Sequence, residues 1–367
     1  MRYRRTVTIA LSLALAALLA ACGSDGGGSG GSGGGGSSGL TAQSLGIPQT
    51  GDMVDTAKWK KSGPWTIGYA DASMSNSWRV FAWQYLQYGA SQLPSTKIIH
   101  TNANDSTPKQ VADIQDLVAR NVDCLIVAAT SADALSPVIA AASKKVPVVV
   151  EERSVSTDQY TTFASLDAVQ MGQLQAQAVV DALQGQGNVL IMQGVAGSGP
   201  VVQSLQGMRQ VLTKSPGIKV LNTVYTDWSR DKGKTAMENA LQAFPRIDAV
   251  LSDSGLQAAG AFEAAKAAGR LNGIKAWSGD TDQTWMRLVH SNKLPGIIVD
   301  RPTKVGEQAA KLCGAILSGI PVPKVVSTPN QVIKPADLAK YIAPNTPGSG
   351  QWWDWWNLPQ QWLPKSG

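Results

Sequence analysis

The sequence predicts an α/β protein with two lobes, and three observations lead to that prediction. Short apolar runs alternate along residues 64–335 with longer stretches that carry apolar residues at helical spacing. This alternation is typical of parallel sheets covered by helices. The region spans about 270 residues, more than one hydrophobic core usually holds, so we expect two lobes. Polar residues follow most of the apolar runs, at the end of a parallel strand where ligands bind.

Nine apolar runs are predicted strands, and each is expected to be buried on both faces of a parallel sheet. In chain order they are Thr66–Ala70, Ile98–Asn102, Cys124–Ala128, Val146–Val150, Val189–Gln193, Val220–Tyr225, Ala249–Ser252, Lys275–Ser278 and Gly296–Val299. Helical spacing of apolar residues predicts helices over Gln110–Arg120, Ala168–Leu183, Lys232–Phe244 and Val305–Leu317.

The first residues have the pattern of an export signal. Three arginines within the first five residues precede the apolar run Val7–Ala20. That run is about 14 residues long, whereas a helix needs roughly 20 to cross a bilayer. Its end, Leu19-Ala20-Ala21-Cys22, resembles the lipobox of bacterial lipoproteins, in which the cysteine is acylated and becomes the first residue. We therefore expect residues 1–21 to be removed and Cys22 to anchor the protein to a membrane.

A segment of almost pure glycine and serine follows, over residues 23–39. Such a segment buries no apolar surface and behaves as a flexible coil, with an end-to-end distance of roughly 20–25 Å. It is a predicted tether that holds a folded domain clear of the lipid head groups.

Charge argues against a nucleic-acid partner, and the cysteines allow two states. Without the three arginines of the signal peptide, 29 of the 32 basic residues remain and exceed the 26 acidic ones only slightly, and no basic run is dense enough for a nucleic-acid groove. Cys124 and Cys313 could form a disulfide in an oxidising compartment. Because Cys124 lies in an apolar run and Cys313 in a helical one, we expect two buried thiols instead.

Two loops partly match other ligand-binding motifs. Gly194–Pro200 is glycine-rich, but Pro200 stands where a phosphate-binding loop needs lysine, so we expect a tight turn with Pro200 in the first turn of a helix. Asp280 and Asp282 begin like a calcium loop, but further acids are missing at the required spacing. We therefore predict neither a cofactor nor a metal site.

Four segments, taken in their order and spacing, resemble a known family. They are Ile67-Gly68 with Ser75-Asn76-Ser77-Trp78, Asp113-Ile114-Gln115-Asp116-Leu117, Val146-Pro147-Val148-Val149-Val150-Glu151-Glu152-Arg153, and Leu251-Ser252-Asp253-Ser254 with Gly279-Asp280. On these residues the chain resembles the ribose- and galactose-type periplasmic sugar-binding proteins, the solute receptors of ABC importers. The resemblance implies a type I periplasmic binding fold, in which two Rossmann-like lobes of parallel sheet and flanking helices are joined by a multi-strand hinge.

The resemblance also implies how the chain divides. The predicted parts are a signal peptide (1–21), the lipidated cysteine with tether and lead-in (22–63), an N-terminal lobe (64–166 and 301–325), a C-terminal lobe (167–300 and 326–340) and a tail (341–367). The tail lies outside the resemblance and contains Trp352, Trp353, Trp355, Trp356 and Trp362. Because water is a poor solvent for five tryptophans, we expect the tail to pack on a lobe near the hinge; contact with a partner or the lipid interface is the alternative.

Carried over residue by residue, the resemblance implies ligand contacts in both lobes. These are Asn76, Trp78, Arg79, Glu152 and Arg153 in the first lobe, Trp228, Ser252, Asp253 and Asp280 in the second, and Asp300 at the crossing between them. Two positions depart from the ribose receptor, since Val202 replaces an arginine and Ala128 replaces an amide. The predicted pocket is therefore not tuned to ribose.

These residue types suit a sugar or polyol. Carboxylates accept hydrogen bonds from neighbouring hydroxyls, Arg153 donates through a planar fork, and Asn76 does either. Trp78 and Trp228, from opposite lobes, are expected to sandwich the ring and bury its C–H surface. Two members have plain structural alternatives: Asp253 could cap the helix that begins near Gly255, and Arg153 could pair with Glu151.

The predicted function is that of a monomeric, lipid-anchored receptor that closes around a small sugar or polyol and delivers it to an ABC permease. It performs no chemistry of its own. A sensory or chemotaxis sugar receptor of the same fold is the main alternative. An extracytoplasmic carbohydrate-active enzyme, with paired carboxylates among Glu151, Glu152 and Asp280, is a weaker one.

Overall fold

A computed structural model describes residues 39–344 and 353–363, all within one compact unit. The predicted signal peptide, the proposed lipidation site Cys22, nearly all of the tether and Trp352 lie outside these residues. Among the described helices, none is both long and apolar enough to cross a membrane.

Two six-stranded sheets form the centres of the two lobes. The strands are β1 (Met53–Val54), β2 (Trp65–Asp71), β3 (Thr96–Asn102), β4 (Cys124–Val127), β5 (Val148–Glu151), β6 (Thr162–Leu166), β7 (Gly187–Gln193), β8 (Ile218–Tyr225), β9 (Ala249–Ser252), β10 (Ala276–Gly279), β11 (Gly296–Val299), β12 (Val322–Pro323), β13 (Val325–Thr328) and β14 (Val332–Ile333). The helices are α1 (Ala42–Leu45), α2 (Ser77–Ser91), α3 (Thr107–Ala119), α4 (Ala132–Ala142), α5 (Ala168–Ala182), α6 (Gly199–Leu212), α7 (Arg230–Ala243), α8 (Gly255–Ala267), α9 (Gln283–Asn292) and α10 (Val305–Leu317).

The strand order confirms the predicted fold class. Sheet 1 has the order β13-β6-β5-β4-β2-β3 and is parallel throughout, while sheet 2 has the order β14-β11-β10-β9-β7-β8 and is parallel except for β14. A separate pair, β1 and β12, is antiparallel. Helices cover the sheets, as the alternation of strand and helix requires.

All nine predicted strands are present, but their burial differs from the prediction in two cases. β3 and β8 are the outermost strands of their sheets, so one long side of each meets solvent. Residues along β3 are mostly half-buried, and β8 carries four exposed positions. The expectation that every strand is buried on both faces is therefore wrong for these two edge strands.

The chain passes between the sheets three times: from β6 to α5, from β11 to α10, and from β13 to β14. Three crossings form the multi-strand hinge. Residues 326–328, which we expected in the second lobe, belong to β13 and pair with β6 in sheet 1. Because parallel pairing continues to Thr328, the chain leaves sheet 1 after that residue.

Helices α5 and α6 pack with their backbones in close contact. A Cβ added to Gly207 of α6 would lie 2.0 Å from the carbonyl oxygen of Val169, and one added to Gly172 of α5 would lie 2.0 Å from that of Ser204. Both positions therefore require glycine. The predicted turn at Gly194–Pro200 is confirmed, since α6 has Pro200 in its first turn.

The two cysteines form a disulfide, so the expectation of two free thiols is wrong. Cys124 on β4 and Cys313 on α10 have Cα atoms 5.8 Å apart and their sulfurs are bonded. Both are fully buried in the core of the first lobe, as their apolar surroundings indicated. Helix α10 packs against β4, and this packing brings Cys124 and Cys313 together although they are 189 positions apart in the sequence.

The described part of the tail packs as expected. Trp353 and Leu358 are buried in the core of the first lobe, and Trp356 packs against Tyr341 beside the core of the second lobe. The carboxylate of Asp354 accepts a hydrogen bond from the Thr303 hydroxyl, and its carbonyl accepts one from Tyr85 at 2.8 Å. Thr303 lies in the second crossing, so the tail is attached at the hinge.

Candidate functional site

A cavity lies between the lobes, at the carboxyl ends of the strands. It measures about 30 Å³ and shares Asn76, Arg153 and Trp228 with the lining of a wider cleft of about 940 Å³. Seven of the predicted contact residues line this cavity: Asn76, Trp78, Arg79, Glu152, Arg153, Trp228 and Asp280. The fold therefore brings these seven together from both lobes.

Arg79 lies at the centre of a buried ion-pair network. Arg79 lies in the first turn of α2. The Asn76 side chain caps this helix by accepting a hydrogen bond from the Arg79 backbone N–H at 2.9 Å. Its guanidinium contacts Asp71, donates to the Tyr69 hydroxyl at 3.1 Å and lies 3.6 Å from Glu151 Oε2. Because a buried arginine needs such partners, this network fixes the side chain in one place.

The network moves the pKa values of its two acids in opposite directions. Burial raises the pKa of Glu151 to about 7, although Arg79 opposes that shift. Burial also acts to raise the pKa of Asp71, but Arg79 and His100 outweigh it and hold that pKa below its ordinary value. Asp71 is therefore the permanently charged partner of Arg79, and Glu151 titrates near neutral pH.

Glu152 connects three arginines. Its carboxylate lies 3.4 Å from Arg79 Nη1, 3.3 Å from Arg153 Nε and 3.4 Å from Arg301 Nη2. Glu152 has a φ of 57°, in the left-handed region that non-glycine residues rarely adopt. That backbone conformation, directly after β5, is what a strained residue at a functional site commonly shows.

Two tryptophans from opposite lobes face one guanidinium. The Cζ atom of Arg301 lies 6.0 Å from the ring centroid of Trp78 and 5.4 Å from that of Trp228. Trp78 Nε1 donates to the Arg301 carbonyl at 2.8 Å, and Trp228 Nε1 donates to Asp253 at 3.3 Å. Both indoles therefore lie within 6.0 Å of the same planar cation, while the prediction that they sandwich the ring of a ligand stays a prediction.

The position of Trp228 depends on Gly194. Trp228 has a φ of 53°, which turns its indole back over the end of β7. A Cβ on Gly194 would lie 1.9 Å from Cε2 of that indole. No other residue fits at position 194 while Trp228 keeps this position.

The second lobe contributes buried acids whose pKa values are raised. Asp280 lines the cavity and accepts from the Gly255 backbone N–H at 2.6 Å, and burial raises its pKa to about 8. Burial raises the pKa of Asp253 to about 6, although Arg301 and Trp228 oppose that shift. Asp280 is therefore mostly protonated at neutral pH and can donate as well as accept a hydrogen bond, whereas Asp253 is mostly ionised and accepts.

Three predicted contact residues do not line the cavity. The Ser252 hydroxyl donates to the Ser254 carbonyl at 2.7 Å and accepts from Gln257 at 3.0 Å. Asp253 contacts the cavity only through Trp228, and Asp300 accepts from the Thr281 hydroxyl at 2.6 Å. All three are buried, with side chains engaged by neighbouring protein groups rather than directed into the cavity. Of the alternatives, helix capping by Asp253 is wrong, because Ser254 caps α8.

Two prominent lining residues were missed by the sequence reasoning. Arg301 follows β11 by two residues, so its place after a strand was a usable signal. Trp353 comes from the tail, and no local pattern predicts that a residue so late in the chain reaches the cavity. Ser254 and Leu256, near the start of α8, complete the lining.

The cavity thus combines indoles from both lobes with hydrogen-bonding groups of both charges. Such a set matches a small molecule with apolar faces and a polar rim. Among the described residues, no group of three or more histidine, cysteine or acidic side chains is arranged to hold a metal ion. Asp282, which resembled part of a calcium loop, caps α9 by accepting from the Trp285 N–H at 2.9 Å.

Comparison with known proteins agrees with this geometry. The family model described as "Periplasmic binding protein domain" matches residues 67–321, more than half of the chain. The chain belongs to this family. Within it, the two-lobed fold is that of the type I periplasmic binding proteins.

Several members of the periplasmic binding protein family are similar over most of their length. The ribose import binding protein of Bacillus subtilis is 28% identical over 79% of this chain and 93% of its own. The xylitol-binding protein of Mycolicibacterium smegmatis is 29% identical over 61% of this chain and 64% of its own length. Among solved structures, the fructose-binding periplasmic domain of a hybrid two component system has a TM-score of 0.71 at 27% identity, covering 75% of this chain and 92% of that one.

Proposed function

We propose that this protein is an extracytoplasmic receptor that binds a small carbohydrate or polyol between its two lobes and delivers it to an ABC-type importer. The indoles of Trp78 and Trp228, which come from different lobes and lie beside the same guanidinium in the cavity, are the observation that carries this proposal. Aromatic rings on two sides suit the C–H faces of a sugar, and the carboxylates and arginines between them suit its hydroxyls. Membership of the periplasmic binding protein family and the names of its relatives support a solute receptor.

Binding requires movement of the lobes and of Arg301. A cavity of about 30 Å³ has room for about two water molecules, which is too small for a sugar. The ligand enters while the lobes are apart and takes the place of the Arg301 guanidinium between the indoles. Arg153 then remains within reach as a donor, because Glu152 holds it at the wall.

The carboxylates serve binding rather than catalysis. Glu151 and Glu152 are committed to buried arginines, and Asp280 accepts from a backbone amide. The relatives named above are binding proteins, which supports the same conclusion. The lipobox pattern at Cys22 and the Gly/Ser tether support attachment to the membrane that holds the importer.

A sensory receptor is the second candidate, and one comparison favours it. The fructose-binding domain with a TM-score of 0.71 belongs to a hybrid two component system. Uptake of radiolabelled sugar by cells that lack the gene separates the two functions. Loss of uptake supports delivery to an importer, whereas normal uptake with a lost transcriptional response supports sensing.

A thermal-shift panel tests the binding function itself. Residues 37–367 are mixed separately with ribose, xylose, arabinose, fructose, xylitol, myo-inositol and the common amino acids. A ligand present at about 100 times its Kd adds roughly 2.7 kcal/mol to the free energy of unfolding, enough for a clear rise in Tm. We expect a rise with at least one sugar or polyol. A response to amino acids alone would contradict the proposal.

A further inference from the structure

We infer that Trp353, from the C-terminal tail, is a ligand-contacting residue that limits the size of the sugar or polyol bound in the cavity. This inference rests on the proposed function. It assigns to the tail a part in the binding site, although the tail lies outside the segment 67–321 that the family model matches.

Trp353 is held in place by contacts on several sides. Its side chain is buried in the core of the first lobe, and Nε1 donates to the Ser77 hydroxyl at 2.9 Å. Ser77 is the first residue of α2, next to Asn76, which lines the same cavity. A residue fixed in this way acts as a wall rather than as a mobile cover.

The neighbouring residue reinforces that position. Asp354 is fully buried, its carboxylate accepts from the Thr303 hydroxyl and from the Lys304 N–H at 3.4 Å, and its carbonyl accepts from Tyr85 at 2.8 Å. Burial raises the pKa of Asp354 well above its ordinary value. Three elements, namely α2, the second crossing and the start of α10, therefore hold the backbone that carries Trp353.

Trp353 lies on the cavity together with residues of both lobes. The same cavity is lined by Trp78 and Arg301 on the first-lobe side and by Trp228 and Asp280 on the second-lobe side. Its indole is the third aromatic side chain in the lining of this cavity. An apolar wall at that place favours a C–H group of the ligand and excludes an additional hydroxymethyl group.

The tail also contains a matched control. Trp362 packs edge-on against Tyr88 of α2, with ring centroids 5.6 Å apart, and does not line the cavity. Trp362 is half-buried, and truncating it removes an aromatic contact between the tail and the same helix. A change in the ratio of ligand affinities that is confined to a folded Trp353 variant therefore reports on the cavity.

The test measures affinity for pairs of ligands that differ by one carbon. Calorimetric titration of residues 37–367 with ribose and allose, and with xylitol and sorbitol, gives the ratio of affinities within each pair. For Trp353→Ala we expect the affinity for the preferred ligand of each pair to fall at least tenfold. We also expect the ratio of affinities, shorter ligand over longer ligand, to fall at least fivefold. For Trp362→Ala we expect both values within twofold of wild type.

The possible outcomes separate this inference from the function on which it rests. Wild-type affinities and ratios in Trp353→Ala would overturn the inference and leave the receptor function intact. Failure of the wild-type protein to bind any sugar or polyol would overturn both. If Trp353→Ala does not fold, Trp353→Phe decides the question, since it retains a ring but frees space, and unchanged ratios in that variant would contradict the inference.

Discussion

Single residues determine the charge balance of the cavity. Arg79, Arg153 and Arg301 all lie within 3.4 Å of the Glu152 carboxylate. One carboxylate cannot neutralise three guanidiniums. Arg79 also forms an ion pair with Asp71, which neutralises its charge. Arg153 and Arg301 are thus left to share Glu152, which leaves them donors for ligand oxygens.

Gly194→Ala tests the position of Trp228. Because an added Cβ would overlap the indole, we expect the substitution to displace Trp228 and to weaken sugar binding about as much as Trp228→Ala does, by a few kcal/mol. Both variants should also lose any ligand-induced change in tryptophan fluorescence. Gly273→Ala is the control, since a Cβ there meets no atom within 4 Å and its φ is ordinary. Wild-type affinity in Gly194→Ala would show that Trp228 does not contact the ligand.

Asp280→Asn tests the effect of burial on the second-lobe acid. A carboxyl whose pKa is about 8 when folded and about 4 when unfolded binds more protons in the folded state between these values. Its contribution to stability is therefore present at low pH and is lost as the pH rises towards 8. Without ligand, we expect the Tm of wild type to fall more steeply from pH 5 to pH 8 than the Tm of Asp280→Asn.

An exposed acid supplies the control for that experiment. Asp337 pairs with Lys340 on the surface, and this partner lowers its pKa, so it stays charged throughout the range from pH 5 to pH 8. Asp337→Asn should therefore follow the wild-type pH dependence. Parallel curves for wild type and Asp280→Asn would mean that Asp280 is already ionised in the folded protein at pH 5.

At the scale of the elements, a disulfide joins β4 to α10, the helix that follows the second crossing. It closes a loop of 189 residues. Constraining the unfolded chain in this way contributes roughly 2–5 kcal/mol. We expect the double variant Cys124→Ala, Cys313→Ala to melt several degrees below wild type while retaining its fold.

A thiol titration provides an independent check of the disulfide. Residues 37–367 contain only Cys124 and Cys313, because Cys22 precedes them. In denaturant without reductant, we expect no reactive thiol. Two thiols per chain would contradict the disulfide and support the original expectation of free cysteines.

The elements that could be predicted are those whose signal is local. Buried parallel strands such as β4 and β9 are continuous apolar runs, and each was found at nearly its observed bounds. β6, β13 and β14 were missed, because β6 mixes polar and apolar residues and the other two are short pieces of the hinge. These strands form by pairing with strands that are distant in the sequence, and a local sequence pattern carries no information about such partners.

The candidate site shows the same limit. Glu152 follows β5 directly and Trp228 follows β8 by three residues, and the family resemblance implied a ligand contact at both. It implied the same for Ser252, the last residue of β9, and for Asp300, directly after β11, but hydrogen bonds with neighbouring groups engage these two side chains away from the cavity. Trp353 reaches the cavity through packing of the tail, which only the folded chain defines.

For the whole molecule, the three crossings and the tail are the segments that connect the two lobes. Residues 341–343 dock on α9 of the second lobe, where Arg287 donates to the Ala343 carbonyl at 2.8 Å and Ala343 N–H donates to Gln283 at 2.7 Å. Of residues 353–363, Trp353 and Leu358 pack in the core of the first lobe, whereas Trp356 packs against Tyr341 beside the second. Trp355 Nε1 donates to the Tyr341 carbonyl at 3.0 Å and so joins the two parts. The tail therefore makes contacts with both lobes.

The most direct test of the account is a calorimetric titration of wild type and Arg153→Ala with the sugar or polyol that gives the largest thermal shift. Arg153 lines the cavity, its guanidinium lies 5.9 Å from the ring centroid of Trp228, and it is not part of either core. We predict saturable binding of one ligand per chain in wild type and no measurable binding in a folded Arg153→Ala. Equal affinities in the two proteins would contradict a ligand site between the lobes.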